Sequence, residues 1–298
     1  MTQIVKTIET QEPQDALTQI ELVRLVLSRC DIKESSKKQY KYGISRFITF
    51  CAENAWHEGI LLEYKDHLRA QSVLSASTKA QLLNAARVSC RHLYNLGLVQ
   101  RDLSGSVKAF KVNVAHKRAP IAEHDRKKVF RYLNILGDTR ATLIFHLLAF
   151  QGLRRMEVCS IRAEDYNASN RTLLIDSKGV DGKTLIHLHS KTVAALNAHL
   201  ASTRISSGFI FPSSSSTGYL STVGIHRIVQ EVHKRCFLKA NVHAWRKYFT
   251  STLLENGFDV ITASKFTRHK SIATLIIYYD RVDVVRRLTD FNKAFESN

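Results

Sequence analysis

The chain has 298 residues, 44% of them hydrophobic and 23% charged, enough for two domains that each bury a core of their own. Lys and Arg number 44 against 26 Asp and Glu, a formal charge of +18, and a chain this basic points to a polyanionic partner, nucleic acid first. No apolar run approaches the ~20 residues of a bilayer span, and the basic residues are spread along the chain rather than gathered on one amphipathic helix, so a membrane role is not expected.

The opening MTQIVKTIETQEPQD lacks the basic-then-apolar order of a signal peptide, and the five cysteines (Cys30, Cys51, Cys90, Cys159 and Cys236) include no C-x-x-C pair. Both features fit reduced thiols and a cytoplasmic location. Residues 1–17 are polar and aperiodic, and read as a flexible tail. From 18 to 112 the pattern is helical throughout. Leu22, Leu25 and Leu27 open one helix, and Tyr40, Ile44, Phe47, Ile48 and Cys51 form an apolar stripe on a second. Leu61, Tyr64 and Leu68 mark a third, and Leu82, Ala86, Cys90 and Leu93 a fourth, with Gly97 as its stop. Opposite these stripes stand Lys37, Lys38, Lys41, Arg46, Lys79, Arg87 and Arg91. Any one of them fits a solvated face; as a set in a chain of this charge they read as phosphate contacts.

Residues 113–120, the end of a basic and sparsely apolar stretch that closes on Pro120, read as an interdomain linker. The second domain, 121–298, opens with helices at 122–136 and 139–150, the latter leading into GLRRMEV at 152–158. The alternating runs TLLIDSK (172–178) and KTLIHLH (183–189) flank GVDG and form a hairpin. Helix is expected again at 190–202, an extended piece at 209–212, and helices at 221–237, 244–255 and 260–265. FTRHKSIATLIIYYDR (266–281) follows, then a tail helix with Val284, Leu288, Phe291 and Phe295 on one face. His187 and His189 fall on one side of the second strand without a third ligand, and read as hairpin residues rather than a metal site. Trp245 and Phe249 read as packing. The expected fold is mainly α, with a small β-hairpin in a mixed C-terminal domain that follows an all-helical N-terminal one.

A tyrosine phenol, with a reference pKa of about 10, is a poor nucleophile at neutral pH. To attack a phosphodiester it needs cations on the nonbridging oxygens, a group to manage its proton and an acid for the leaving oxygen. The chain offers candidates in order: Arg154 in GLRRME, Lys178 at the end of the first hairpin strand, His243 and Arg246 in HAWR, His269, and Tyr278 nine residues further on.

This series, G-L-R-x-x-E, a hairpin lysine, H-x-x-R, and a histidine nine residues before a tyrosine, resembles the tyrosine recombinase (phage integrase) family. The resemblance covers nearly the whole chain, since the N-terminal helices with Ser36, Tyr40 and Phe47 are similar to that family's small, SAM-like core-binding domain. It implies that Arg154 and Arg246 grip the scissile phosphate, that His243 lies near the phenol proton or the nonbridging oxygens, and that His269 donates to the phosphate. Lys178 would protonate the leaving 5′ oxygen, Tyr278 would be the nucleophile, and Glu157 would orient its neighbours. Arg155, Lys183 and Tyr279 stand as rivals to Arg154, Lys178 and Tyr278. The chain departs from the pattern at Thr267 and Arg268, where a Leu-Gly pair usually precedes the second histidine, and at Gln151, where a threonine is common.

The implied activity is site-specific DNA recombination through a 3′-phosphotyrosyl link, without metal or other cofactor. The implied partners are a double-stranded recombination site, further copies of the chain (a dimer on the site, a tetramer in synapsis) and accessory DNA-binding proteins. Two other readings share these motifs: relaxation of supercoils by a type IB topoisomerase, and a DNA-binding accessory protein without catalysis.

Overall fold

In a computed structural model of the chain, which describes residues 17–112, 119–177, 182–268, 272 and 275–276, two units are distinguished, Met1–Val114 and Ala115–Asn298. Among the described residues the first holds four helices: α1 (Gln19–Ser28), α2 (Glu34–Asn54), α3 (Ile60–Ala70) and α4 (Ala76–Asn95). Local chemistry fixes their starts. Thr18 and Glu21 form a reciprocal capping box on α1, the Thr18 N–H donating to Glu21 Oε2 at 2.7 Å, and the Ser75 hydroxyl accepts from the Thr78 N–H at 3.1 Å to begin α4. Gly97, at φ 69°, closes α4, with the Leu98 N–H reaching the Leu93 carbonyl at 3.0 Å.

Of the expected stripe on α2, Ile44, Phe47, Ile48 and Cys51 are buried, with Tyr40 half-buried at its edge. They meet Leu82, Leu83, Ala86 and Cys90 of α4 and Ile60, Leu61, Tyr64 and Leu68 of α3. On α1 the buried stripe is Leu22, Val23 and Val26, which at about 100° per residue share one face; Leu25 and Leu27 fall on either side of that arc and only flank it. Gly43 sets the crossing of α2 over α4, since a Cβ there would lie 2.5 Å from the Ala85 methyl.

The second unit is built around α6 (Thr139–Phe150), a short helix with apolar residues on nearly every side. Ala141, Leu143, Ile144, Phe145, Leu147, Leu148 and Ala149 are all buried. Around it lie α5 (Glu123–Leu136), α7 (Arg155–Cys159), α8 (Ser190–Thr203), α9 (Thr222–Arg235), α10 (His243–Glu255) and α11 (Val260–Thr267). Three antiparallel strands, β1 (Tyr166–Asn167), β2 (Thr172–Asp176) and β3 (Lys183–His187), form a sheet in that order. Leu173 pairs with Ile186, and these two with Ile175 face the core, so the alternation read from sequence sets the register. β1, only two residues long, carries no alternation to read. The expected extended piece forms isolated bridges, Arg162 to Phe209 and Pro212 to Tyr219.

Trp245 of α10 is fully buried, and its indole N–H donates to His233 Nε2 at 2.9 Å, which leaves the ring proton on the Nδ1 that faces the Ala240 carbonyl. His189 is not on the strand with His187. It caps α8, accepting from the Lys191 N–H at 3.2 Å, and stacks on Phe150, so the two histidines serve different elements. Among the described residues no helix is long and apolar enough to cross a membrane.

His146 on α6 lies against Phe130 and Phe150 with Nδ1 buried and without a hydrogen-bond partner. Burial first, then the charges of His189, Lys191 and Arg126, push it down to about 4. The unfolded chain therefore binds a proton below an ordinary value near 6.5 that the folded chain does not take up until near 4, and stability falls as pH falls through that window. Between pH 7 and 5 this histidine alone costs about 1–2 kcal/mol. Thermal melts at the two pH values should show a smaller difference for His146→Leu than for wild type; an equal difference assigns the pH dependence to other groups.

Candidate active site

The site is assembled where α6 turns into α7. Gly152 stands at φ 57°, and a Cβ there would lie 2.3 Å from the Phe249 ring, so both backbone and space demand glycine. Phe249 thus packs as expected, and what it packs against is this turn. Gln151 is buried beside it, and its side-chain amide donates to the Thr192 hydroxyl at 3.1 Å, which satisfies the polar group that departs from the family pattern.

The chain after this turn places Arg154 at the start of α7. Its backbone N–H donates to Glu157 Oε2 at 2.9 Å and its Nη1 to Oε1 at 2.7 Å. The Glu157 side chain is 1% exposed and that of Arg154 29% exposed, while Arg155 points outward as an exposed residue. Arg246, one turn into α10, is buried at 2% exposure. Its Nη1 donates to the Gly152 carbonyl at 2.5 Å and its Nη2 to the Thr267 carbonyl. His243, the first residue of α10 and exposed, lies one helical turn before Arg246.

A third guanidinium completes the arrangement. Arg268 follows α11 at φ 55°, a left-handed position that costs a residue with a Cβ about 1–2 kcal/mol, which accounts for the glycine usual there. Its side chain folds inward to 10% exposure, and Nη2 stands 3.3 Å from Glu157 Oε2. It also reaches the carbonyls of Gln151 at 3.4 Å, Gly152 at 3.4 Å and Phe266 at 2.8 Å, while Arg154 Nη2 donates to the Arg268 carbonyl at 3.4 Å. Burial alone would raise Glu157. The charge of Arg268, with the hydrogen bonds and charge of Arg154, outweighs it and holds the carboxyl below its ordinary value. Burial pulls Arg268 itself below the usual arginine value, opposed by Glu157, and an arginine stays charged under such conditions.

Two guanidiniums, Arg154 and Arg268, thus pair with the Glu157 carboxylate, and a third, Arg246, reaches the Gly152 carbonyl at the same turn. Sequence reasoning named Arg154, Arg246 and Glu157 but gave Arg268 no role. The available signal was an arginine at a position where the pattern expects glycine. Lys178, His269 and Tyr278, with the rival Tyr279 and the tail residues Val284, Leu288, Phe291 and Phe295, lie outside the described residues. Lys183, the rival of Lys178, is within 2.6 Å of both carboxylate oxygens of Asp165, which is itself 8% exposed. Among the described residues no cluster of three or more His, Cys, Asp or Glu suits a metal ion.

In the N-terminal unit, Lys37, Lys38 and Lys41 line α2, with Lys38 and Lys41 exposed and Lys37 2.8 Å from Glu34. Lys79 donates to the Arg69 carbonyl at 2.8 Å. Arg87 donates to the Ser104 carbonyl at 2.6 Å and Arg91 to the Ser104 hydroxyl at 3.4 Å, so these two brace the segment after α4. Between α2 and α4 runs an open groove of about 520 Å³ lined by Gln39, Tyr40, Gln81 and Asn84 among others.

Gly152→Ala tests the turn. Left-handed strain plus the collision with Phe249 should cost at least about 2 kcal/mol in chemical denaturation, well above a typical surface change.

The phage integrase family model matches residues 121–284. The tyrosine recombinase XerD of Rhizobium meliloti (strain 1021) is 26% identical over 232 residues, spanning 73% of this chain and 74% of its own length. The TnP I resolvase of Bacillus thuringiensis is 24% identical over 263 residues, spanning 82% and 89%. Among solved structures, the XerH site-specific recombinase bound to its difH substrate superposes with a TM-score of 0.68 at 17% identity, over 95% of this chain and 86% of that one. The Tn1549 transposon integrase in complex with a circular intermediate DNA superposes at 0.69 and 13% identity, over 91% and 99%. With more than half its length matched by the family model, the chain belongs to the phage integrase family.

Proposed function

We propose that this chain is a site-specific DNA recombinase that cleaves and rejoins duplex DNA through a 3′-phosphotyrosyl link to Tyr278. The observation that carries the reading is the meeting of Arg154 and Arg246 at the Gly152 turn, in a cluster whose positive charges outnumber the one carboxylate by two. Such a site is suited to a dianionic, trigonal-bipyramidal phosphorane-like transition state, because a guanidinium fork matches the nonbridging oxygens and keeps its charge at any working pH.

In this scheme the Tyr278 oxygen attacks the scissile phosphorus while Arg154 and Arg246 hold the nonbridging oxygens and His269 donates to one of them. His243 stands near the phenol proton. Lys178 gives a proton to the departing 5′ oxygen. The fixing of Lys183 on Asp165 favours Lys178 for that role. The phosphotyrosyl bond retains the energy of the phosphodiester, so a 5′ hydroxyl from another duplex reverses the step without a nucleotide or a metal. Lys37, Lys38, Lys41, Lys79, Arg87 and Arg91 supply backbone contacts from the N-terminal domain (18–112), which is joined through residues 113–120 to the catalytic domain (121–298). The working assembly is a dimer on each site and a tetramer at synapsis, with accessory DNA-binding proteins as further partners, in the cytoplasm of a prokaryotic or mobile-element host.

The test uses a pool of nicked duplexes drawn from DNA flanking the encoding gene, followed by denaturing gels and sequencing of the retained DNA. Wild type should form a covalent adduct and Tyr278→Phe none, while Arg154→Ala or Arg246→Ala slows its formation on the order of 100-fold or more. An adduct with Tyr278→Phe moves the nucleophile to Tyr279, and no adduct from wild type on any duplex sinks the reading. Truncation after Asp283 should abolish cooperativity in a gel-shift titration on the recovered site, because the face formed by Val284, Leu288, Phe291 and Phe295 docks onto a neighbouring copy; unchanged cooperativity rejects that docking.

A further inference from the structure

Arg268 sits beside Arg154 with its guanidinium turned to the Glu157 carboxylate and the Gln151 and Gly152 carbonyls. Its side chain is 10% exposed against 29% for Arg154, so Arg154 faces outward and Arg268 stands behind it. Its contacts divide into two sets. One is the Glu157 carboxylate, whose Oε2 accepts from both the Arg154 N–H and Arg268 Nη2 while Oε1 takes Arg154 Nη1. The other is a row of backbone carbonyls: Gln151 and Gly152, which precede Arg154, and Phe266, which precedes His269. Its Nε is buried without a hydrogen-bond partner. A site that accepts a left-handed arginine and an orphaned buried donor, where glycine would be unstrained, keeps that side chain for what it touches.

Two consequences follow from the charges and the geometry. A buried carboxylate paired with one guanidinium is a neutral unit with little left for a phosphate; shared between two, it leaves one positive charge over. The carbonyl contacts in turn tie the Gln151–Gly152 turn to the end of α11, alongside the Arg246 bridge between Gly152 and Thr267. We propose that Arg268 is a positioning residue for Arg154: it takes up the charge of Glu157 and ties together the turns before Arg154 and His269, so that Arg154 keeps its charge and its place for the scissile phosphate. This rests on the reading of Arg154 as a phosphate-gripping residue.

The experiment compares wild type, Arg268→Met and Arg268→Lys on the nicked duplex recovered above. At saturating duplex the single-turnover rate of adduct formation should fall about tenfold in Arg268→Met, with the half-saturating duplex concentration within about twofold of wild type, since the misplacement acts on the reacting phosphate rather than on overall binding. Arg268→Lys, which restores charge without the fork, should recover part of the rate. In parallel, ¹³C NMR of the Glu157 carboxyl, assigned by its loss in Glu157→Gln, should titrate at higher pH in Arg268→Met than in wild type. A wild-type rate in Arg268→Met overturns the proposal, as does an unmoved Glu157 titration. If Arg268→Met does not fold, Arg268→Lys decides, and a rate and Glu157 titration identical to wild type in a variant that cannot form the fork overturns the tie between the turns. A wild type that forms no adduct refutes the recombinase reading instead, and the Glu157 titration still decides whether Arg268 sets the charge around Arg154.

Discussion

The second unit depends on a single buried carboxylate. Glu157 is 1% exposed, and a charge so placed is tolerated only when it is paired and hydrogen-bonded on both oxygens. Arg154 and Arg268 provide this from opposite ends of the domain's sequence, one entering α7 and the other leaving α11. Removing either would leave an incompletely compensated charge in the interior, which is why the GLRRME motif and the fold are not separable here.

Backbone carbonyls do the complementary work. Arg246 and Arg268 both reach the Gly152 carbonyl, and Arg246 also takes that of Thr267. A carbonyl orients a guanidinium by its dipole without cancelling the charge, so the arginines are fixed and remain cationic. The presentation of these carbonyls depends on the unusual backbone at Gly152 and Arg268, at φ 57° and 55°. Burying Phe249 against the bare Cα of Gly152 locks the first; the inward arginine holds the second.

Much of this was legible in the sequence, for reasons that differ by residue. The helices of the N-terminal unit announce themselves through three- and four-residue apolar steps ended by capping residues, and the β2–β3 pairing through the in–out order of Leu173, Leu174 and Ile175 opposite KTLIH. The order of Arg154, His243 and Arg246 is a motif-level signal, and the structure brings Arg154 and Arg246 to one turn. What sequence could not supply was tertiary choice. Nothing local says that Lys183 will be spent on Asp165, that Arg87 and Arg91 will brace Ser104, or that His189 will cap a helix instead of finishing a strand. Arg268 is the clearest case: read linearly it weakens a motif, and only folding back onto Glu157 and Gly152 gives it a purpose.

The ion pair between Lys183 and Asp165 bears on how this hairpin can evolve. Asp165 lies in the turn before β1, so the pair fastens the start of β3 to the far side of the sheet, while Leu173 and Ile186 fix the register from the core. Both fastenings sit below the connection between β2 and β3. Residues can be gained or lost in that connection without shifting either strand, at an entropic cost that grows only with the logarithm of its length. A change in the length of that connection therefore alters the reach of any side chain carried there while the Leu173–Ile186 pairing beneath it stays in place.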